Sequence, residues 1–387
     1  MTAYYLQKAG RQVTVLNSAE KGKGTSAGNA GMLVPSHVVP LSAPGVIAQG
    51  LRWMMRRDSP FHVRPQLNAA FLRWLWEFRR HCTDSHVARC VPILRDLSLA
   101  SVREFDAIAE ERDDFGLAHT GLLMVYRTDE LAEAVNHEAA IAAEAGLITR
   151  TLDARAVQHL QPNLRSDATG AVFYEQDGRV DPNLLLETME RRVEAAGGQI
   201  HHGVHVESVA PREVQIHKNR QGTLIGSDVV VCAGAWTPQL VKGLSIQPAR
   251  GYSVTVEPPD EAPEIPMILM EDRVTVTLMP GKLRFGGTLS LSGFDTRVDR
   301  VRLGPILAEA SRYRPDVDVE RLPVWFGYRP ASADGLPMIG RLSDGLWVNS
   351  GHGMMGVSLA PASGKLAAAL IAGTDPPVPA GPFDPNR

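Results

Sequence analysis

An arginine followed by a proline offers the first piece of chemistry in this sequence. In Gly327-Tyr328-Arg329-Pro330-Ala331 the ring of Pro330 fixes its own backbone and pushes Arg329 towards extended geometry. A guanidinium held in this way can grip a carboxylate through two parallel hydrogen bonds. An isolated loop arginine is as readily a solvated surface residue. Further along, Gly351-His352-Gly353-Met354-Met355-Gly356 precedes a helical stretch. Glycines there leave the first helical N–H groups and the positive dipole end open, where developing negative charge is stabilised. His352 lies in that turn, and a lone histidine serves structure as well as chemistry. Val229-Val230-Val231-Cys232 runs into Ala233-Gly234, which lets the backbone approach a ligand closely at the end of a parallel strand. The same letters also read as a tight strand–helix turn. Thr25-Ser26-Ala27-Gly28-Asn29-Ala30-Gly31 is a loop of small side chains suited to packing against a bound group. Arg250-Gly251-Tyr252 opens a strand, with Tyr252 a candidate for either site or core. The chain has no H-E-x-x-H, P-loop, G-x-S-x-G elbow or paired C-x-x-C, so metalloprotease, nucleotide-hydrolase and serine-hydrolase chemistry find no support.

The elements that must carry these residues alternate in type. Thr2 to Ala9 reads as a helix capped by Gly10, and Gln12 to Leu16 as a short buried parallel strand. The pattern between Leu67 and Glu111 is helical. Gly121–Tyr126 reads as a strand, Glu130–Ala145 as an amphipathic helix and Asp153–Leu160 as a short one. Asp181-Pro182 starts a helix that runs to Ala195, where Gly197-Gly198 ends it. Strands follow near Val204–Val209, Glu213–His217 and Asp228–Cys232. An antiparallel set comes next, near Tyr252–Glu257, Val274–Met279 and Leu283–Gly287, then a helix over Leu303–Tyr313. Strand Leu346–Asn349 and a helix from Met355 to Ala372 close the chain. Parallel βαβ segments at both ends with an antiparallel insert predict two interleaved domains. No period of 20–50 residues argues for a solenoid or propeller.

The whole chain sets the outer limits. It has 387 residues, 44% of them hydrophobic and 21% charged, which suits a folded protein of two domains. A net charge of −3 gives no footprint for nucleic acid. Three cysteines, Cys82, Cys90 and Cys232, fit a reducing compartment and show no metal spacing. The apolar runs are shorter than the roughly 20 residues needed to span a bilayer, and Met1 leads into no signal peptide, so the expectation is a soluble, cytoplasmic protein. The basic stretch Arg52 to Arg57, interleaved with Trp53 and two methionines, reads as a solvated helix edge or as a peripheral contact with the inner face of the membrane.

Taken together and in this order, G-Y-R-P-A-S-A-D-G-L-P-M-I-G (327–340), G-H-G-M-M-G-V-S-L-A-P-A-S-G (351–364), V-V-V-C-A-G-A-W (229–236), the 25–31 loop and R-G-Y-S-V-T (250–255) resemble the D-amino-acid oxidase superfamily of FAD-dependent oxidoreductases. Within it, the pattern is most similar to the bacterial D-amino-acid dehydrogenases. The resemblance implies an α/β (overall α+β) fold, with a Rossmann-like FAD-binding domain over residues 1–38, 165–245 and 325–387. An antiparallel-sheet substrate domain would take 39–164 and 246–324. It implies FAD as cofactor, hydride transfer from Cα to flavin N5, no metal, a small amino-acid substrate, and a respiratory carrier or quinone as acceptor. Arg329 would bind the substrate carboxylate, Tyr252 would help place the substrate, and His352 would lie near the flavin. Gly351, Gly353, Met354, Met355 and Gly356 would face the pyrimidine edge. Ser26, Asn29, Ala30 and Gly31 would line the isoalloxazine, Val206 would meet the adenine, and Ala233 and Gly234 would pass close to the cofactor. Two departures stand out. The family's first strand and G-x-G-x-x-G pyrophosphate turn, about fifteen to twenty residues, do not precede Thr2 here. Asn17 stands where an acidic residue grips the ribose. The alternatives are a glycine- or sarcosine-type oxidase of the same superfamily, and an inactive truncated fragment that binds no FAD.

Overall fold

The computed structural model describes residues 1–54, 61–64, 66, 68–217 and 222–387. The Arg52–Arg57 reading therefore falls partly outside the described residues, with Arg52 itself exposed.

The largest element is a nine-stranded sheet, and its order starts with the strand that carries Arg329. Trp325–Ser332 lies at the edge, followed by Ile246–Val256, Lys282–Leu291, Val274–Met279, Met267–Leu269, Leu122–Tyr126, Gly170–Tyr174 and Thr149–Asp153. Phe61–Val63 adds to Lys282–Leu291 in parallel. An edge position tolerates Pro330, which has no N–H to give to a further strand. The face with Tyr252, Val254, Val276, Leu283 and Phe285 is covered by Leu303, Ile306, Leu307 and Ala310 of helix Arg300–Tyr313, and all of these are buried. Burying each valine, leucine, isoleucine and phenylalanine among them contributes roughly 1.5–3 kcal/mol.

The parallel part is smaller. Thr14–Asn17 pairs with Gln199–His202, and Val229–Val231 pairs with Leu346–Ser350, both in parallel. Tyr4, Tyr5 and Leu6 of helix Thr2–Lys8 pack with Leu185, Met189 and Val193 of helix Pro182–Ala195 and with Ala368 of helix Ala360–Ala372. The Pro182–Ala195 helix starts as the sequence predicts. Asp181 caps it, accepting from the N–H groups of Asn183 and Leu184, with proline in the first turn.

The structure differs from the sequence reading at several boundaries. The helical region up to Glu111 is two helices, Ala69–His81 and Asp84–Glu111, with Asn68 and Thr83 as side-chain N-caps. The expected helix from Met355 resolves into a turn, Gly353–Met355, and a helix, Ala360–Ala372. Strand Ile246–Val256 begins six residues before Tyr252 and runs through Pro248. Gly170–Tyr174 and Trp325–Ser332 join the large sheet, although the expected boundaries grouped them with the parallel segments. Cross-strand pairing decides their place, and local propensity does not report it. Among the described residues, no helix is long and apolar enough to cross a membrane.

Candidate active site

A cavity of about 2190 Å3 runs between the parallel strands and the large sheet. That is at least twice the roughly 300–1,000 Å3 of ordinary small-molecule sites. Residues of both Thr14–Asn17 and Val229–Val231 line it, and the two strands belong to separate sheets.

Arg329 stands on its wall. One guanidinium nitrogen donates to the carbonyl of Thr288 at 2.7 Å, and no carboxylate pairs with Arg329 among the described residues. Burial alone pulls its pKa down to about 10. The backbone makes room for it: an added Cβ on Gly251 would overlap the guanidinium, and Gly251 faces Gly327 across the strand pair. Thr288, whose carbonyl holds the arginine, has φ 61°, a left-handed conformation that is rare for a threonine.

His352 reaches the same wall through a bridge from its backbone to Ala331, two residues beyond Arg329. Its Nε2 is 3.0 Å from Ser363 Oγ, and burial pushes its pKa down to about 4, so the imidazole is neutral at neutral pH. Tyr252 also lines the cavity. Its hydroxyl, however, accepts from the Asp299 N–H at 3.0 Å and donates to the Arg297 carbonyl at 3.5 Å, which ties it to the loop behind.

The remaining predicted residues divide into two groups. Asn17, Ser26, Asn29, Ala30, Val206, Ala233, Gly234, Gly353, Met354, Met355 and Gly356 line the cavity. Gly31 and Gly351 lie behind the wall. An added Cβ on Gly31 would overlap the Val180 carbonyl, and Gly351 is buried with φ 83°. Asn17 and Asn29 spend their Oδ1 atoms on local turns, accepting from the N–H groups of Ala19 and Gly31.

Sequence reasoning missed the residues that pin the 25–31 loop. Buried Arg284 donates to the carbonyls of Ala27 at 2.9 Å and Asn29 at 2.6 Å, and Ser253 donates to the Gly28 carbonyl at 3.0 Å. Trp325 covers Gly28 so closely that a Cβ there would strike its ring. Gly327 was the available signal: an added Cβ there would also strike the Trp325 ring, and glycine inside a strand marks a close approach.

A family model described as "DAO: FAD dependent oxidoreductase" matches residues 1–370. The chain belongs to this family. Solved structures agree in fold. Glycine oxidase from Geobacillus kaustophilus is 23% identical over 100% of this chain and 95% of that one, with a TM-score of 0.76. Iminodiacetate oxidase from Chelativorans sp. BNC1 is 21% identical over 99% and 95%, at 0.70. L-proline dehydrogenase from P. horikoshii is 19% identical over 100% and 93%, at 0.71. The DAO-family fold, mixed helix and sheet with an FAD-binding part, is thus the fold of this chain, and FAD is the family's cofactor.

The wall suits such a ligand. Among the described residues, an added Cβ on Gly234 or Gly353, both at φ 55°, would meet no atom within 4 Å beyond its chain neighbours, so their backbones are open to close approach from the cavity. His202 Nδ1, Thr288 Oγ1 and Asn349 Oδ1 are buried polar atoms on this wall without a hydrogen-bond partner among the described residues. Unpartnered polar atoms are costly when buried, and a polar ligand would satisfy them. FAD would lie with Asn17 and Val206 towards one end, and with Ser26, Ala30, His352 and Gly353 towards the other.

Proposed function

We propose that this FAD-dependent oxidoreductase deaminates D-amino acids oxidatively, including cyclic ones such as D-proline or hydroxy-D-proline. The product imino acid then hydrolyses to a keto acid, and a respiratory carrier or quinone takes the electrons. The reading includes a cytoplasmic enzyme with peripheral contact to the inner face of the membrane.

The observation that carries it is Arg329, a guanidinium in a cavity wall with a backbone carbonyl for a partner and, among the described residues, no carboxylate. Such a cation calls for an anionic ligand, and its planar fork matches a carboxylate. FAD, when bound, supplies a two-electron acceptor. The chain's part is to bind and orient the substrate. Arg329 holds the carboxylate, Tyr252 shapes the wall beside it, and neutral His352 offers a hydrogen bond without adding a charge. A second reading, a glycine- or sarcosine-type oxidase, draws support from the fold shared with glycine oxidase and iminodiacetate oxidase.

The test is the absorbance spectrum of the chain purified with ample FAD and desalted, followed by anaerobic additions of D- and L-amino acids, glycine and sarcosine. Bleaching by D-amino acids is the expected result. Bleaching by glycine or sarcosine alone moves the assignment to the second reading. A folded, colourless chain overturns both.

A further inference from the structure

A chain of three polar side chains leads away from the site into the protein. Strand Met32–Leu33 pairs antiparallel with Gly178–Arg179, and this brings Ser36, just beyond the first, against Asp177, just before the second. Asp177 is 1% exposed and has no cationic partner among the described residues; it accepts from Ser36 N–H at 3.0 Å and from Ser36 Oγ at 2.5 Å. Ser36 Oγ is also 3.1 Å from His37 Nδ1. Because the hydroxyl gives its one proton to the carboxylate, it accepts from His37, which fixes a proton on Nδ1 and a lone pair on Nε2. That Nε2 has no partner among the described residues, and His37 lines the main cavity. A side pocket of about 60 Å3 carries His37, Arg329 and His352 on its walls.

We propose that His37, Ser36 and Asp177 form a proton relay that takes a proton from the substrate ammonium held beside Arg329. The inference rests on the amino-acid reading above and adds new residues to it. An amino acid arrives as an ammonium, and its nitrogen needs a free lone pair to form the C=N bond of the product. The balance is simple. One ammonium proton passes to His37 Nε2, the Nδ1 proton passes to Ser36 Oγ, and the serine proton passes to Asp177 Oδ2. The substrate is left as a neutral amine and Asp177 as a neutral acid, and no charge stays on His37.

The surroundings favour this division of labour. Burial, helped by the nearby Arg273, pushes the pKa of His37 down to about 4, so the imidazole conducts a proton without storing it. Burial raises Asp177 to about 7, which matches a terminal acceptor working near neutral pH. Glu138 from helix Asp129–Glu144 and Tyr174 from strand Gly170–Tyr174 line the same cavity, and burial raises both. Arg329 and His352 stand across the side pocket. A brace between Ser36 and Asp177 would hold the turn together without any of this, and the test must separate the two.

The experiment compares the FAD-loaded wild type with Ser36→Ala and Asp177→Asn. Ser36→Ala keeps the backbone N–H bond to Asp177 and removes only the bridging hydroxyl. In the wild type, the rate of flavin reduction at low substrate should rise with pH through an apparent pKa near 7. In both variants that limb should move up to the ammonium pKa of the free substrate, with a loss of about 100-fold at pH 7, the usual size of a general-base contribution. Binding of a carboxylate inhibitor lacking the amine should not change. Superimposable pH profiles in the three proteins overturn the relay and leave a structural brace. Two readouts do not depend on turnover. Nitrogen NMR of His37 should report the Nδ1–H tautomer, and the infrared carboxylic-acid band of Asp177 should titrate near neutrality. The opposite tautomer, or a carboxylate already ionised in mild acid, also overturns the relay. If no amine reduces the flavin of any variant, the substrate reading falls and takes the ammonium donor with it, while the two readouts still decide whether His37, Ser36 and Asp177 are set up as a hydrogen-bonded chain.

Discussion

Arg329 lends itself to two substitutions that act on the same contact from opposite sides. Arg329→Leu should raise the substrate KM by about 100-fold, the worth of a charge-assisted hydrogen-bond pair, while flavin content stays unchanged. Equal KM values would remove Arg329 from carboxylate binding. Gly251→Ala should give a similar KM with the guanidinium still present, because the new Cβ displaces the flexible end of Arg329 from the Thr288 carbonyl. Titration works on stability at the same scale. Asp177 has its pKa raised from 3.8 to about 7 by burial, so the folded state favours the protonated form. Its contribution is fully present below pH 3.8 and is lost as pH rises through 7. His352 has the reverse sign: its stabilising effect is present above pH 6.5 and lost as pH falls through about 4. Thermal unfolding across this range should therefore show Asp177→Asn gaining on the wild type as pH rises to 7. It should show His352→Gln gaining as pH falls to 4. Parallel curves for wild type and variant would contradict the burial of the group concerned.

Elements decide whether the loop at 25–31 stays in place. Its own residues close only local turns, in which Asn29 Oδ1 accepts from the Gly31 N–H and the Ser26 carbonyl from the Asn29 N–H, and its small side chains have little to pack with. The fixing comes from the large sheet, through Arg284, Ser253 and Trp325. Arg284→Met would leave the carbonyls of Ala27 and Asn29 without that donor, at roughly 1–3 kcal/mol each. FAD affinity measured by fluorescence titration should fall at least tenfold, with the secondary structure retained. Unchanged affinity would show that the loop does not contribute to holding the cofactor. The cap at Asp181 belongs to this scale too. It was readable because Asp-Pro before an apolar helical repeat is a local signal.

For the whole molecule, the cavity divides the parallel strands into two separate pairs, with residues of both Thr14–Asn17 and Val229–Val231 on its wall. A ligand that bridges this space should stabilise the molecule as a unit. At a hundred times its Kd, FAD is expected to add about 2.7 kcal/mol, read as a Tm rise of a few degrees that follows FAD concentration. A Tm that ignores FAD would mean the cavity does not take it.

The family was legible in the sequence because its marks are local. Arg329-Pro330, the glycine turn around His352 and Ala233-Gly234 are each fixed by two or three neighbouring residues and their backbone preferences. The helix start at Asp181-Pro182 and the alternation in Val274–Met279 and Leu283–Gly287 are local too. Tertiary structure decided everything that depends on distant partners. It placed Gly170–Tyr174 and Trp325–Ser332 in the large sheet and put Gly251 beneath a guanidinium. It also turned Tyr252's hydroxyl away to a loop and brought Asp177 to Ser36, 141 residues away. Strand pairing and buried polar contacts depend on which surfaces meet after folding, and no short window of sequence carries that information.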